Sequence, residues 1–124
     1  MFAGAFDDAG RGDAYAAIDL LAVPSLWLEN SPLVIHEAFQ AGIPAVGSDI
    51  GGIPELVRDN VNGLIVPPGS AGALAGAIRR LADDRQLLAR LASQVSAVKS
   101  IGEDAAEWEA RYLSVGPTGP GAPP

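Results

Sequence analysis

Glu29 and Glu37 bracket the segment "ENSPLVIHE" with seven residues between them, and a Ser31-Pro32 pair follows the first carboxylate. A carboxylate only accepts hydrogen bonds, and two adjacent hydroxyls, such as a ribose diol, suit its two oxygens. Serine is a preferred N-cap and proline suits the first helical position, so Ser31 and Pro32 read as the start of a helix. The N–H groups of Leu33 and Val34 then point out of the helix end, where the macrodipole also favours an anion. Glu37 lies about 7.5 Å further along the axis, at ~1.5 Å per residue, and helical side chains lean back towards the N-terminus. Glu29 approaches from the loop side. An anion at the helix end, flanked by two hydroxyl-seeking carboxylates, describes a sugar–diphosphate–ribose ligand. A Ser-Pro helix start with an internal glutamate is also a common surface feature, so the spacing alone leaves the plain helical reading open.

Further along, Gly51 and Gly52 sit in "SDIGGIPE" and form a turn without side chains. Such a turn either lets backbone approach a ligand closely or makes a tight strand-to-helix connection. Asp49 is expected to cap the helix after that turn, with contact to a donor sugar as its other reading, and Glu55 lies nearby. Trp27 reads as an aromatic that pins its loop to the core rather than one that stacks on a sugar. His36, the only histidine, reads as packed or solvated rather than catalytic. Glu107 and Glu109 are about 200° apart on a helix and therefore belong to a solvated face, not a metal pair. "GRGDAY" lacks the G-x-G-x-x-G fingerprint of dinucleotide-binding dehydrogenases.

These residues need elements to position them. "RGDAYAAI" can form a short helix, and "DLLAV", closed by Pro24, reads as a buried strand. The loop "PSLWLEN" leads to the helix "PLVIHEAFQA", which Gly42 ends. "IPAVGS" is another buried strand, "GGIPELV" a short helix, "DNVNG" a turn, and "LIV" a strand stopped by Pro67 and Pro68. A helix capped by Ser70 follows, with Leu74, Ile78 and Leu81 on one face. A second, capped by Asp83 or Asp84, carries Leu87, Leu91, Val95 and Val98, and a third carries Ala105, Trp108 and Tyr112. Residues 114–124, ending in "GPTGPGAPP", are expected to be disordered. Alternating short strands and helices imply an α/β domain over residues 1–113: a parallel, right-handed sheet with helices on both faces and ligands beyond the strand carboxyl ends.

The totals agree with this picture. A chain of 124 residues, 48% hydrophobic, suffices for one domain with a core. Its net charge of −7 offers no basic stripe for nucleic acid. Without cysteine it has no disulfides or thiolate metal sites. No apolar run approaches the ~20 residues of a spanning helix, and no signal peptide is evident, so a cytoplasmic domain is expected.

The stretch from "PSLWLENSPLVIHEAFQAGIPAVGSDIGGIPELV" to "RRL" resembles the nucleotide-binding half of a GT-B-fold glycosyltransferase of group 1, or family 4. The resemblance covers about residues 2–91. It rests on Glu29, Glu37, Ala41, Gly42, Pro44, Gly51, Gly52 and Glu55. It implies a Rossmann-like C-terminal domain that begins partway through, lacking strands on its N-terminal side. Glu37 would hold the ribose hydroxyls of a nucleotide-sugar such as a UDP- or GDP-sugar. Glu29, the candidate catalytic residue, would face the donor sugar and its diphosphate with the backbone of Asn30, Ser31, Pro32, Leu33 and Val34, beside Gly51 and Gly52. Such enzymes need no bound metal or other cofactor, and usually retain the anomeric configuration.

The resemblance also implies an acceptor-binding domain supplied in cis or in trans, and activity at a membrane face is compatible with it. The diphosphate-binding Arg and Lys of relatives have no counterpart here. Arg11 and Arg58 are the only candidates, and both are expected on solvated faces. A nucleotide-sugar epimerase of the same architecture and a non-catalytic binding module are the rival readings.

Overall fold

The computed structural model describes residues 4–96 and 98–115. Strands β1 (Leu21–Val23), β2 (Ala45–Ser48) and β3 (Gly63–Val66) form a parallel sheet in the order β1-β2-β3. Helix α1 (Arg11–Ala16) precedes β1. Helices α2 (Leu33–Gln40) and α3 (Ile53–Leu56) lie in the two crossovers. Helices α4 (Ala71–Asp83), α5 (Arg85–Ser93) and α6 (Ile101–Ser114) follow the sheet.

The alternation of side chains along each strand divides the core in two. Ala45 packs with Ile35, Phe39, Ile53 and Val57 beneath α2 and α3, joined by Ile65. Val46, one residue on, packs with Leu64, Val66, Leu81 and Leu91 beneath α4 and α5. Helices therefore cover both faces, as the apolar pattern predicts. Central β2 is buried at all four positions, whereas edge strand β1 is only partly covered.

Local chemistry sets most boundaries. Ser70 Oγ accepts from the Ala73 amide at 3.3 Å, and Asp84 Oδ1 from the Leu87 amide at 2.9 Å. Replacing Ser70 with alanine should lower stability by about 1 kcal/mol, read as a shift in the urea midpoint at unchanged slope. Gly42, at φ +73°, ends α2.

One helix is shorter than its sequence suggests. α5 stops at Ser93, and Val95 and Val98 lie beyond it. Both valines pack against the Ile35–Phe39 cluster, on the opposite side of the sheet from Leu87 and Leu91. The chain crosses from one face to the other at this point, and a straight helix cannot place apolar side chains on both.

α6 starts from a Ser100–Glu103 capping box, whose hydrogen bonds hold the Glu103 carboxyl below the usual carboxylate range. It buries no residue. Glu107 pairs with Lys99 and, at 2.6 Å, with Arg111, which likewise lowers its pKa. It thus belongs to an exposed ion cluster. Among the described residues no helix is long and apolar enough to cross a membrane. The first three residues of "MFAGAF" and the Gly/Pro-rich stretch 116–124 lie outside the described residues.

Candidate functional site

The loop after β1 and the first turn of α2 stand at the carboxyl end of the sheet. The helix start differs from the one expected. Leu33 is the first helical residue, Pro32 is the N-cap with φ −61° and ψ 116°, and no side chain caps the end. Ser31 lies one residue outside, and its Oγ bonds His36 Nε2 at 2.7 Å. Two polar side chains a helical turn apart satisfy each other, which removes Ser31 from the capping role. Among the described residues the Leu33 and Val34 amides find no backbone acceptor, while the Ile35 amide donates to the Pro32 carbonyl at 3.1 Å. Two outward-facing donors therefore remain at the helix end, where the dipole favours an anion.

Glu29 is fixed from two sides. Ser25 Oγ donates to its Oε1 at 3.1 Å. Its carbonyl accepts from the Gly52 amide at 2.6 Å. The glycine pair explains why the loop can sit so close. A Cβ on Gly52 would lie 1.8 Å from the Asn30 carbonyl oxygen, and one on Gly51 would lie 2.4 Å from that of Glu29. Gly51 also has φ +57°, which favours glycine. The backbone that approaches this turn is the protein's own loop 28–30. The glycines and the glutamate, which the sequence presents as separate features, form one contact.

Glu37 is held by partners outside the segment that singled it out. Its Oε2 accepts from the Tyr15 phenol at 2.8 Å, and its Oε1 lies 3.3 Å from Arg11 Nη1. Arg11 also pairs with Asp8. It is exposed, as expected, and stands beside the candidate ribose-binding carboxylate, which supplies the charge it pairs with. Burial, the hydrogen bond to Glu37 and the negative charge of Glu37 push the Tyr15 phenol up to about 12, with Arg11 acting in the opposite direction. Glu37 keeps 28% of its side chain exposed and, with Asp8, Arg11, Tyr15 and Gln40, lines a cleft of about 400 Å³.

The two carboxylates share no hydrogen-bond partner, and Glu29 does not line the cleft of Glu37. What connects them is the turn of backbone bearing the free amides. His36 and Glu55 line a different cleft, of about 700 Å³, together with Ser100 and Ile101. Asp49 does not cap α3. Gly52 is the N-cap there, without a side-chain bond, and the Asp49 amide donates to the Val66 carbonyl at 2.8 Å. Trp27 does not pin its loop to the core. It is 80% exposed, because the Glu29–Gly52 contact and Ser25 already hold that loop. Arg58 is exposed, as expected.

Local spacing could not reveal Tyr15, Arg11 and Ser25. One signal was present: the lone aromatic in the alanine-rich "RGDAYAAI", since a buried tyrosine needs a partner for its hydroxyl.

Comparison with known proteins identifies the relatives of this arrangement. The family described as glycosyl transferases group 1 matches residues 2–97. An exopolysaccharide phosphotransferase of Streptomyces coelicolor is 41% identical over 103 residues, covering 82% of this chain and 10% of that protein. Sucrose-phosphate synthase from Thermosynechococcus elongatus superposes with a TM-score of 0.79 at 31% identity, over 93% of this chain and 30% of its own. Anabaena HepE, solved in complex with UDP and glucose, gives 0.73 at 34% identity, over 86% and 30%. The chain thus spans a tenth of that curated relative and under a third of either structure. Its α/β architecture is that of a GT-B glycosyltransferase C-terminal domain. The chain belongs to the glycosyl transferases group 1 family.

Proposed function

We propose that this chain is the donor-binding part of a retaining glycosyltransferase that moves a sugar from a nucleotide-sugar to an acceptor hydroxyl. The observation that carries this reading is the pair of unpartnered amides of Leu33 and Val34, with Glu37 on the helix behind them and Glu29 on the loop before them. The amides of residues 33 and 34 meet the diphosphate, and Glu37 takes the ribose hydroxyls. Glu29, with its neighbours Asn30, Ser31 and Pro32, faces the sugar whose anomeric bond to the diphosphate breaks as the bond to the acceptor oxygen forms. Holding Glu29 by its own backbone means that little reorganisation is left for the reaction. The complex of HepE with UDP and glucose supports a uridine diphosphate sugar as the first donor to test.

The acceptor-binding portion, in cis or in trans, comes from the length that the relatives have and this chain does not span. We place the reaction in the cytoplasm. The epimerase and interaction-module readings have no specific observation in their favour.

Magnitudes set the behaviour of the chain alone. A helix end contributes roughly 0.3–1 kcal/mol per charge and up to ~2 when partly buried. Millimolar affinity already needs about 4 kcal/mol. Glu29 and Glu37 also repel a diphosphate. The isolated 124-residue chain should therefore bind UDP-glucose only in the millimolar range and transfer no sugar. Calorimetry and product analysis check this, and micromolar binding or turnover by the chain alone would refute it.

A further inference from the structure

We propose that Tyr15 is a positioning residue for the donor site: its phenolic O–H fixes the Glu37 carboxylate so that the remaining lone pairs meet the two ribose hydroxyls. This rests on the reading of Glu37 as the ribose-binding group. Tyr15 is 8% exposed and packs with Ala38, Ile43 and Leu21, so its ring has no freedom to follow a mobile partner. The phenol donates to Glu37 Oε2 at 2.8 Å, and Arg11 stands 3.3 Å from Oε1. A carboxylate offers about four acceptor positions; the phenol fills one on Oε2 and Arg11 stands by Oε1 as an ion pair, so at least one position stays open on each oxygen. That is the number a vicinal diol requires. The remaining positions are accessible, since Glu37 opens onto the cleft of about 400 Å³.

Tyr15 must act as a donor for this role, and the environment keeps it one. Burial and the charge of Glu37 both oppose the phenolate, so the O–H persists across the whole physiological range. Arg11 neutralises part of the charge on Glu37 and is itself shared with Asp8. A carboxylate held this way keeps one orientation before the ligand arrives, and the ligand does not have to immobilise it.

The test uses the 124-residue chain and two probes, UDP and 2′,3′-dideoxy-UDP, titrated by NMR at millimolar concentration. The wild-type chain should prefer UDP by roughly tenfold, the factor carried by one well-made charge-assisted interaction. Tyr15→Phe keeps the ring in the core and should lose most of that preference, weakening UDP while leaving the dideoxy probe unchanged. Glu37→Gln should also lose it. A general structural defect would weaken both probes alike, and that result overturns the proposal.

If Glu37→Gln loses the preference and Tyr15→Phe retains it, the ribose reading stands and the role of Tyr15 falls. If the wild-type chain does not distinguish the probes, or binds neither, both fall. A second measurement does not depend on binding. In a Tyr112→Phe background Tyr15 is the sole phenol of the two in the sequence, and its absorbance titration should have a midpoint near 12 that falls in Glu37→Gln, which removes the carboxylate and leaves burial in place. A midpoint already at 10 with Glu37 present would show that the contact is absent and overturn the proposal.

Discussion

Gly52→Ala should destabilise the protein by about 3 kcal/mol and release the loop that carries Glu29. The new methyl would sit 1.8 Å from the Asn30 carbonyl oxygen and 2.9 Å from its carbonyl carbon. These are backbone atoms, so no rotamer change can relieve the overlap. The loop has to move, and the 2.6 Å hydrogen bond from the Gly52 amide to Glu29 is lost with it. Overpacking of this kind typically costs about 1–3 kcal/mol, and a buried hydrogen bond adds roughly 0.5–1.5. Against a total stability of about 5–15 kcal/mol this is a large fraction, readable in a urea titration. Gly76→Ala provides the opposite sign. A Cβ there meets nothing within 4 Å, and the position lies inside α4, so replacement should stabilise by up to about 1 kcal/mol. If Gly52→Ala were as stable as the wild-type chain, loop 28–30 would not rest on the glycine turn. The account of how Glu29 is held would then fail.

That contact marks the limit of what the sequence discloses. The strands were legible because "IPAVGS" and "LIV" are short apolar runs closed by glycine or proline. The helix caps at Ser70 and Asp84 were legible because capping is decided within four residues. Both are local signals. The structure departs from the local pattern where a side chain or loop has a choice of partners. Ser31 has the chemistry of a cap, yet its hydroxyl bonds His36, five residues along the chain. Val95 and Val98 continued the apolar period of α5, yet they pack on the opposite face of the sheet. Trp27 looked like an anchor, but the anchoring is done by a backbone hydrogen bond that its sequence neighbourhood does not reveal. For the candidate site, the same division explains why Glu29, Glu37 and the glycine pair could be named while their partners could not. Tyr15 reaches Glu37 across 22 residues, and only the packing of α1 against α2 brings them together. Spacing identifies groups with suitable chemistry, and packing decides what each of them touches.

The burial of Tyr15 and its contact with Glu37 should together be visible as a loss of stability in alkali. In the folded protein the phenol keeps its proton up to about 12, against 10.0 for an unperturbed tyrosine. Below pH 10 both folded and unfolded chains hold the proton, and the contribution is fully present. Between 10 and 12 the unfolded chain releases the proton while the folded chain retains it, so each rise in pH favours unfolding. A shift of this size corresponds to roughly 2–3 kcal/mol lost across that window. Urea titrations of the wild-type chain and of Tyr15→Phe between pH 9 and pH 12 isolate the effect, because phenylalanine cannot ionise and every other group is common to both. The wild-type chain should lose stability relative to the variant as the pH rises from 10 to 12. Parallel curves would mean that the phenol ionises alike in both states, so that neither its burial nor its hydrogen bond to Glu37 raises its pKa in the folded chain. A shallower loss in Glu37→Gln than in the wild-type chain would show that the carboxylate proposed for the ribose is already engaged by the fold before any nucleotide binds.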